Sequence, residues 1–352
     1  MNKLTKIGAS ALAGSLVATS AYAGDLSVSG TWEVTGEYTT GSGAAAFDAL
    51  SNSGNPFGSK GNLAFSGSGE TDFGTASFMT FTTDAQGGVT SHHVMLDMGD
   101  MGTVGFDQGV GSFGLGTIDD KVPSAYEEVW NGTAQSNGDL MDANGGSSGV
   151  FGYKNTFMGM NVNVEYAPSV ANGGDAGDGG ASGVSTNADG TSLNFAITTS
   201  SLMDGLDVGA GYGETQYDLP ASDVATIDTQ STAVYATYAF GPVTVGAQRN
   251  YTSGSVNASN VHIGANEVDI LGIAFNVNEN LSISYEDLEN TYKKSSSSDT
   301  AQADVTTDMS GIQLAYTMGG ATLRISDVSV DNSGGTTGNS EDRTEVSLLM
   351  AF

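Results

Sequence analysis

The last twelve residues, 341–352, most constrain what this chain can fold into, because they alternate strictly between two faces. One face is mostly apolar and consists of Thr344, Val346, Leu348, Met350 and Phe352. The other face is mostly polar and consists of Arg343, Glu345, Ser347, Leu349 and Ala351. A period of two predicts a half-buried β-strand. A soluble protein would turn the apolar face toward a core, whereas a barrel in lipid turns it outward and keeps the polar face for a wet lumen.

The same alternation recurs along the whole chain. It is clear in residues 26–35, 160–166, 206–212, 281–286 and 312–318. Less regular segments are 75–83, 89–98, 234–240 and 268–276. The pattern predicts about sixteen strands of roughly ten residues, the length with which a tilted strand crosses a bilayer.

The connections between these segments alternate in length. Short connections are predicted at 67–73, 99–100, 155–157, 201–204, 241–242, 278–280 and 319–320. Long connections are predicted at 39–57, 109–147, 167–190, 217–230, 253–265, 293–304 and 331–340. Only 84–88 is short where a long connection is due. Tight turns on one rim and long loops on the other are typical of an outer-membrane barrel, and an even strand count puts both termini on the periplasmic, short-turn side.

The N-terminus predicts export. Lys3 and Lys6 precede an uncharged, weakly apolar run over 7–18, and Ala21-Tyr22-Ala23 is a small-x-small cleavage sequence. This order is typical of a secretory signal peptide. The run is too short for a membrane helix, which needs about 20 apolar residues. We therefore expect a cleaved signal peptide at 1–23 and one barrel domain at 24–352.

Composition excludes several classes of protein. Ten Lys and Arg stand against 40 Asp and Glu, so a nucleic-acid partner is not expected. The absence of cysteine excludes disulfides, thiolate metal sites and a Cys nucleophile. Only 38% of the residues are hydrophobic and 51 are Gly, which is lean for a large core but suits a wall with one apolar face.

The chain resembles the general porins of Gram-negative bacteria, most nearly those of alphaproteobacteria. The resemblance rests on the signal peptide, the sixteen-strand pattern, the terminal Phe352, and a long acidic loop after the fifth strand, with its most telling stretches at 113–120 and 124–128. It implies an all-β transmembrane antiparallel barrel whose third loop folds into the pore and faces a basic cluster on the wall. It also implies the cell outer membrane, a homotrimer, and contact with outer-membrane lipid and lipopolysaccharide.

The resemblance makes Asp119, Asp120, Glu127 and Glu128 the predicted acidic constriction. The alternative is a solvated surface loop, since loops are acidic throughout this chain. The loop is however the longest here, and it carries many apolar residues with which it could pack: Phe113, Leu115, Ile118, Val122, Tyr126, Val129 and Trp130.

Alternation places Lys60, Arg324 and Arg343 on the lumen face of the second, fifteenth and sixteenth strands, which come together when the barrel closes. They are the predicted basic wall. The alternative is isolated pairs with nearby carboxylates, such as Arg343 with Glu345. Lys154 is predicted to face inward and Arg249 to face lipid.

The predicted function is a water-filled channel for passive diffusion of ions and small hydrophilic solutes, weakly selective for cations. The alternatives are a substrate-selective outer-membrane channel and a secreted acidic surface or adhesin β-protein. An enzyme is not expected, because His92, His93 and His262 form no metal spacing and no nucleophile elbow is present. No cofactor is predicted beyond calcium held loosely by acidic loops.

Overall fold

The computed structural model describes residues 26–43, 54–83, 89–133, 148–168, 189–218, 228–253, 263–294 and 304–352. The predicted signal peptide, residues 1–23, lies outside these ranges and stays a prediction.

The described residues form sixteen antiparallel strands in one closed barrel, so the predicted fold is confirmed. Each strand pairs with its neighbours in sequence, and the last strand pairs with the first. The strands are β1 Ser27–Ser42, β2 Phe57–Thr71, β3 Gly74–Thr83, β4 Val89–Asp97, β5 Thr103–Gln108, β6 Ser148–Phe157, β7 Met160–Ala167, β8 Asp189–Thr199, β9 Leu206–Asp218, β10 Thr229–Phe240, β11 Val243–Ser253, β12 Ile263–Asn276, β13 Leu281–Lys294, β14 Val305–Met318, β15 Ala321–Asp331 and β16 Ser340–Ala351.

The two ends of the chain close the barrel. In the register of β1 and β16, Thr31 lies opposite Ala351. Beyond the last paired residue, the Phe352 N–H donates to the Gly30 carbonyl at 2.9 Å, and the Gly30 N–H donates to the Phe352 carbonyl at 3.2 Å. The aromatic terminus therefore continues the ladder and leaves no open edge at the seam.

Burial is inverted relative to a soluble protein. On β14, Gln313 is 1% exposed, whereas its neighbour Ile312 is 64% exposed. Successive side chains of a strand point to opposite faces, so Gln313 faces inward and Ile312 faces outward. Arg249 is an outward exception, as predicted, and its guanidinium pairs with Asp269 of β12.

Short connections join β2 to β3, β4 to β5, β6 to β7 and every later second pair, and longer ones join the others at the opposite end, except between β3 and β4. The link at 84–88 lies outside the described residues. At the tight turn between β14 and β15, Gly319 has φ +65°, a backbone conformation that favours glycine. Three single 3₁₀ turns lie at Gly99–Met101, Leu115–Ile118 and Ser333–Gly335. No helix in the described ranges is long and apolar enough to span a membrane.

Candidate pore-lining site

The connection after β5 turns back along the inside of the barrel wall. Asp107, at the end of β5, accepts hydrogen bonds from the backbone N–H groups of Val110 at 2.7 Å and Ser112 at 2.8 Å. These bonds direct residues 109–133, hereafter the inner segment, away from the strand direction. Ser112 also lies 2.9 Å from Nδ1 of His93 on β4.

The backbone of the inner segment is hydrogen-bonded to inward-facing amide and hydroxyl side chains of successive strands. Leu115 N–H donates to Asn194 of β8 at 2.6 Å, and Lys121 N–H donates to Gln248 of β11 at 2.9 Å. Further along, Ala125 N–H donates to Ser284 of β13 at 2.9 Å, and Tyr126 N–H donates to Gln313 of β14 at 3.0 Å. Side chains of the wall thus satisfy backbone donors that no ladder partner satisfies.

Apolar side chains of the inner segment pack on the wall in two clusters. The first cluster is Leu115, Ile118, Ala196, Ala233 and Tyr235. The second consists of Val122, Val129, Val268, Ile270, Leu288, Met309, Val328 and Val330, with Trp130 against it. This apolar content, which the sequence already showed, is buried against protein rather than solvated.

Inward-facing glycines make room for the segment. A Cβ on Gly152 would meet the Phe113 ring, and a Cβ on Gly272 would meet the Val122 side chain. Glycine is therefore required at these points by close approach, and the glycines of β6 and β12 seat the segment on the wall.

The three predicted basic wall residues lie close to one another, but β1 separates β2 from β16. The sequence prediction that treated their strands as direct neighbours omitted this strand. Glu33 of β1 fills the gap: its carboxylate pairs with Arg324, and Lys60 Nζ lies 3.4 Å from its second oxygen. The Ser347 hydroxyl also donates to Glu33. The basic residues are thus bridged by an acidic one.

Arg343 joins the wall to the inner segment. Its guanidinium is 5% exposed and donates to Glu127 of the segment at 3.1 Å and to the Asn131 carbonyl at 2.7 Å. It also donates to Glu37 at 3.3 Å and to Glu345. One predicted constriction residue and one predicted wall residue are therefore in direct contact, together with two strand carboxylates.

Tyr126 packs against the same network. The Arg324 guanidinium carbon lies 4.2 Å from the centroid of its ring, a cation–π contact. Its hydroxyl donates toward Glu345 and lies 3.1 Å from Glu33. Burial and the neighbouring Glu345 raise the pKa of Tyr126, so the phenol stays protonated and serves as a donor.

The other predicted acidic residues lie farther along the inner segment. Asp120 shares a side-chain hydrogen bond with Glu128, and the charge of Glu286 on β13 is close to both. Burial and these carboxylates raise the pKa of Asp120 to about 8. Burial and Glu345 likewise raise the pKa of Glu127 to about 7, against the opposing effect of Arg343. Asp119 contributes its backbone carbonyl, which accepts from Gln248 at 2.6 Å.

Sequence reasoning anticipated Glu345, as the partner of Arg343 in the alternative to a basic wall, but missed Glu33 and Glu37. Both lie on the polar face of the first strand, so alternation could have placed them inward. Glu286 is 1% exposed, and one of its oxygens has no hydrogen-bond partner. In the described ranges no three His, Asp or Glu side chains are placed to hold a metal ion. Loosely bound calcium stays a prediction.

A family model described as Gram-negative porin matches residues 8–351. No curated protein matches the chain by sequence. In vitro folded OmpT, an outer membrane protein of Vibrio cholerae, has a TM-score of 0.64 at 12% identity, with 94% of this chain and 98% of that chain covered. The anion-selective porin from Comamonas acidovorans gives 0.63 at 16% identity, covering 93% and 99%. The outer membrane channel DcaP of Acinetobacter baumannii gives 0.62 at 14% identity, covering 94% and 98%. These structural likenesses support the barrel fold.

Proposed function

Since the chain belongs to the Gram-negative porin family, we propose that it forms a water-filled pore for passive diffusion of ions and small hydrophilic solutes, with a weak preference for cations. Family and fold together indicate an outer-membrane β-barrel channel rather than an enzyme. The closed barrel, with its apolar outer face, does not suit the alternative of a secreted surface or adhesin protein.

The inverted burial carries this proposal. Polar side chains such as Gln313 and Asn194 line the interior, whereas Ile312 and its counterparts face outward. An apolar band on the outer face of the barrel is compatible with lipid, and a polar interior retains water.

The inner segment is proposed to narrow this pore. Its contacts begin at Asp107 on β5 and reach Arg343 on β16, so it follows the wall past most of the strands. Asp119, Asp120, Glu127 and Glu128 are then the acidic side of the constriction. Lys60, Arg324 and Arg343 are the basic side, which meets the acidic side where Arg343 binds Glu127.

Charge around the constriction supports cation preference. The three basic residues meet four carboxylates: Glu33, Glu37, Glu127 and Glu345. Asp119, Asp120, Glu128 and Glu286 add four carboxyl groups, and Lys121 is the cation next to Asp119 and Asp120. Unit charges about 4 Å apart interact by about 4 kcal/mol at an effective dielectric near 20, which is enough to bias selectivity. The preference is expected to be weak, because raised pKa values leave Asp120 and Glu127 partly protonated at neutral pH.

Oligomer and lipid contacts are part of the proposal. We propose a homotrimer whose remaining outer face contacts lipid and lipopolysaccharide, with the short turns on the periplasmic side. The alphaproteobacterial type also stays a prediction. Chemical crosslinking of the folded protein in detergent tests the trimer: a ladder ending at three is expected, and a monomer alone contradicts it.

The pore itself is tested by single-channel recording in planar bilayers under a KCl gradient. Stepwise, ohmic conductance with a cation-favouring reversal potential is expected. Absence of conductance from protein with heat-modifiable gel mobility would contradict the proposal, because such protein is folded.

The constriction is tested by replacing Asp119, Asp120, Glu127 and Glu128 together with Asn or Gln. The reversal potential should move toward zero, because the pore loses its acidic side. The matched control replaces four outward carboxylates, Asp287, Glu289, Asp308 and Asp331, in the same way. This control replaces the same number of carboxyl groups outside the pore and should leave selectivity nearly unchanged. Equal effects of both variants would place the inner segment outside the constriction.

A further inference from the structure

Lys121 and Lys154 differ from the other basic residues whose side chains the structure describes, because neither forms a salt bridge with a described carboxylate. The others each form at least one: Lys60, Arg249, Lys293, Arg324 and Arg343. Lys154 instead lies 5.5 Å from the centroid of the Phe113 ring. Two cationic groups in a strongly acidic chain thus remain available to another partner.

Both lysines line cavities at the short-turn end of the barrel. Lys121 lies in a cavity of about 350 Å³ between the inner segment and strands β7 to β10. Lys154 lies in a cavity of about 310 Å³ bounded by β4 to β7. Asn161 and Asn163 of β7 line both cavities, so the two spaces adjoin along this strand. Each has the size of a small-molecule pocket.

The rest of the lining carries hydrogen-bonding groups suited to hydroxyls. These include Thr103, Asn155, Thr156 and Thr198. Two carboxylates are also present, and each already accepts a hydrogen bond from the protein. Asp207 accepts from the Tyr235 hydroxyl at 2.8 Å, and Asp97 accepts from the Gly99 N–H at 2.9 Å. Each carboxylate keeps lone pairs that can accept from solute hydroxyls.

We infer that the adjoining cavities form a binding subsite for a small hydroxylated organic anion, such as a sugar acid. Lys121 and Lys154 bind its anionic group, and Asn161 and Asn163 bind its hydroxyls. The acidic interior raises the energy of an anion elsewhere, so two cations that form no ion pair with a described residue create a local minimum for it. The inference rests on the proposed pore, because the solute reaches the cavities through its water.

Isothermal titration calorimetry of the folded protein in detergent tests the subsite with D-gluconate as the probe. D-glucose is the neutral match and D-glucosamine the cationic one. Gluconate should bind, and both matches should bind at least about tenfold more weakly, because a charge-assisted hydrogen bond is about twice as strong as a neutral one.

The variant Lys121→Gln/Lys154→Gln should weaken gluconate binding by at least about tenfold. Lys121→Arg/Lys154→Arg keeps both charges and should retain most of it. Arg249→Gln removes one cation that is paired with Asp269 on the outer face of the barrel, and should leave affinity unchanged. Heat-modifiable gel mobility establishes that each variant is folded.

Three results would overturn the inference: equal affinity for gluconate and glucose, preference for glucosamine, or unchanged gluconate affinity in the folded double Gln variant. Channel recordings of the same preparation separate the two proposals. Conductance without gluconate binding refutes the subsite alone, whereas gluconate binding without conductance refutes the pore.

Discussion

The two sides of the barrel interior hold their cations in different ways. Across β15, β16, β1 and β2, Lys60, Arg324 and Arg343 all pair with carboxylates. Across β4 to β10, Lys121 and Lys154 have no ion pair with any described residue. The first side holds the inner segment in place, and the second leaves its charges available to solutes.

Strand register explains the difference. Glu33 of β1 lies opposite Lys60 of β2, so the two charges meet across one ladder. Glu345 lies two residues from Arg343 on the same face of β16. On the other side, the residue opposite Lys154 is Thr103 on β5 and Asn163 on β7, and neither is charged. A lysine on the inner face therefore either forms an ion pair, as Lys60 does, or remains available to a solute, as Lys154 does. Its cross-strand neighbours decide which.

The largest expected effect comes from Arg343→Met, which removes the guanidinium that joins the inner segment to the wall. Glu37, Glu127 and Glu345 would then lie together without their shared cation. Breaking a buried pair by removing one partner costs about 3–5 kcal/mol. A large decrease in the free energy of unfolding is expected, measured by urea titration of the protein folded in lipid vesicles.

The matched control is Arg249→Met, which breaks a pair on the outer face. Arg249 has a side chain 68% exposed, and its bonds go to Asp269 alone among the described residues. An exposed pair contributes about 0–1 kcal/mol. An equal decrease in the free energy of unfolding of the two variants would show that Arg343 stabilises the barrel no more than an exposed residue does.

A second substitution changes the packing of the inner segment against the wall rather than its ion pairs. Gly272→Val places a side chain where Val122 now packs, and overpacking of this kind costs about 1–3 kcal/mol. The segment should move off the wall. Trypsin should then cleave after Lys121, which is the only Lys or Arg in residues 109–133.

Gly58→Val is the control for that substitution. A Cβ on Gly58 meets only the Thr35 hydroxyl, at 3.3 Å, and no part of the inner segment. Trypsin should leave this variant intact after Lys121. Cleavage in both variants, or in neither, would mean that Gly272 does not seat the segment.

The barrel was predictable because its signal is local. Alternation such as that of residues 312–318 needs no knowledge of distant partners, and sixteen such segments followed by a terminal Phe352 specify the closed sheet. The apolar residues of the inner segment, including Leu115 and Val129, also predicted packing. Local pattern fixes which face a residue occupies, but it does not fix which residue lies beside it.

The site was less predictable because its contacts join distant parts of the chain. Nothing near Arg343 in sequence indicates Glu127, and nothing near Lys60 indicates that Glu33 also pairs with Arg324. The sequence analysis assigned no role to Lys121. Its availability follows from where the inner segment lies, which depends on glycines and amides spread over many strands.

A third prediction concerns pH. Burial, the hydrogen bond with Glu128 and the charges of Glu286 and Asp119 raise the pKa of Asp120 to about 8. Below that pH the carboxyl keeps its proton, and above it the pore gains a negative charge. Cation preference should therefore increase as the pH rises through about 8, as measured by reversal potential under a KCl gradient.

Asp120→Asn isolates the group responsible. Asparagine cannot ionise, so the increase in cation preference should become smaller while single-channel conductance persists. An unchanged pH response in this variant would assign the titration to another group of the pore.

The smallest expected effect comes from Tyr126→Phe, which removes the hydroxyl shared by Glu33 and Glu345 and keeps the ring against Arg324. Losing one hydrogen bond to charged groups costs about 1.5–3 kcal/mol at most, and a nearby water can replace part of it. The free energy of unfolding should decrease slightly, and trypsin should cleave after Lys121 somewhat faster.

The control is Tyr235→Phe, which removes a similar hydroxyl from Asp207 on the side of the barrel where Lys121 and Lys154 lie. The free energy of unfolding of this variant should decrease by a similar amount, but trypsin should not cleave after Lys121 any faster. Tyr235 belongs to the wall, whereas Tyr126 belongs to the inner segment. Faster cleavage in Tyr235→Phe than in Tyr126→Phe would contradict the distinction between the side of the barrel that holds the inner segment and the side on which Lys121 and Lys154 lie.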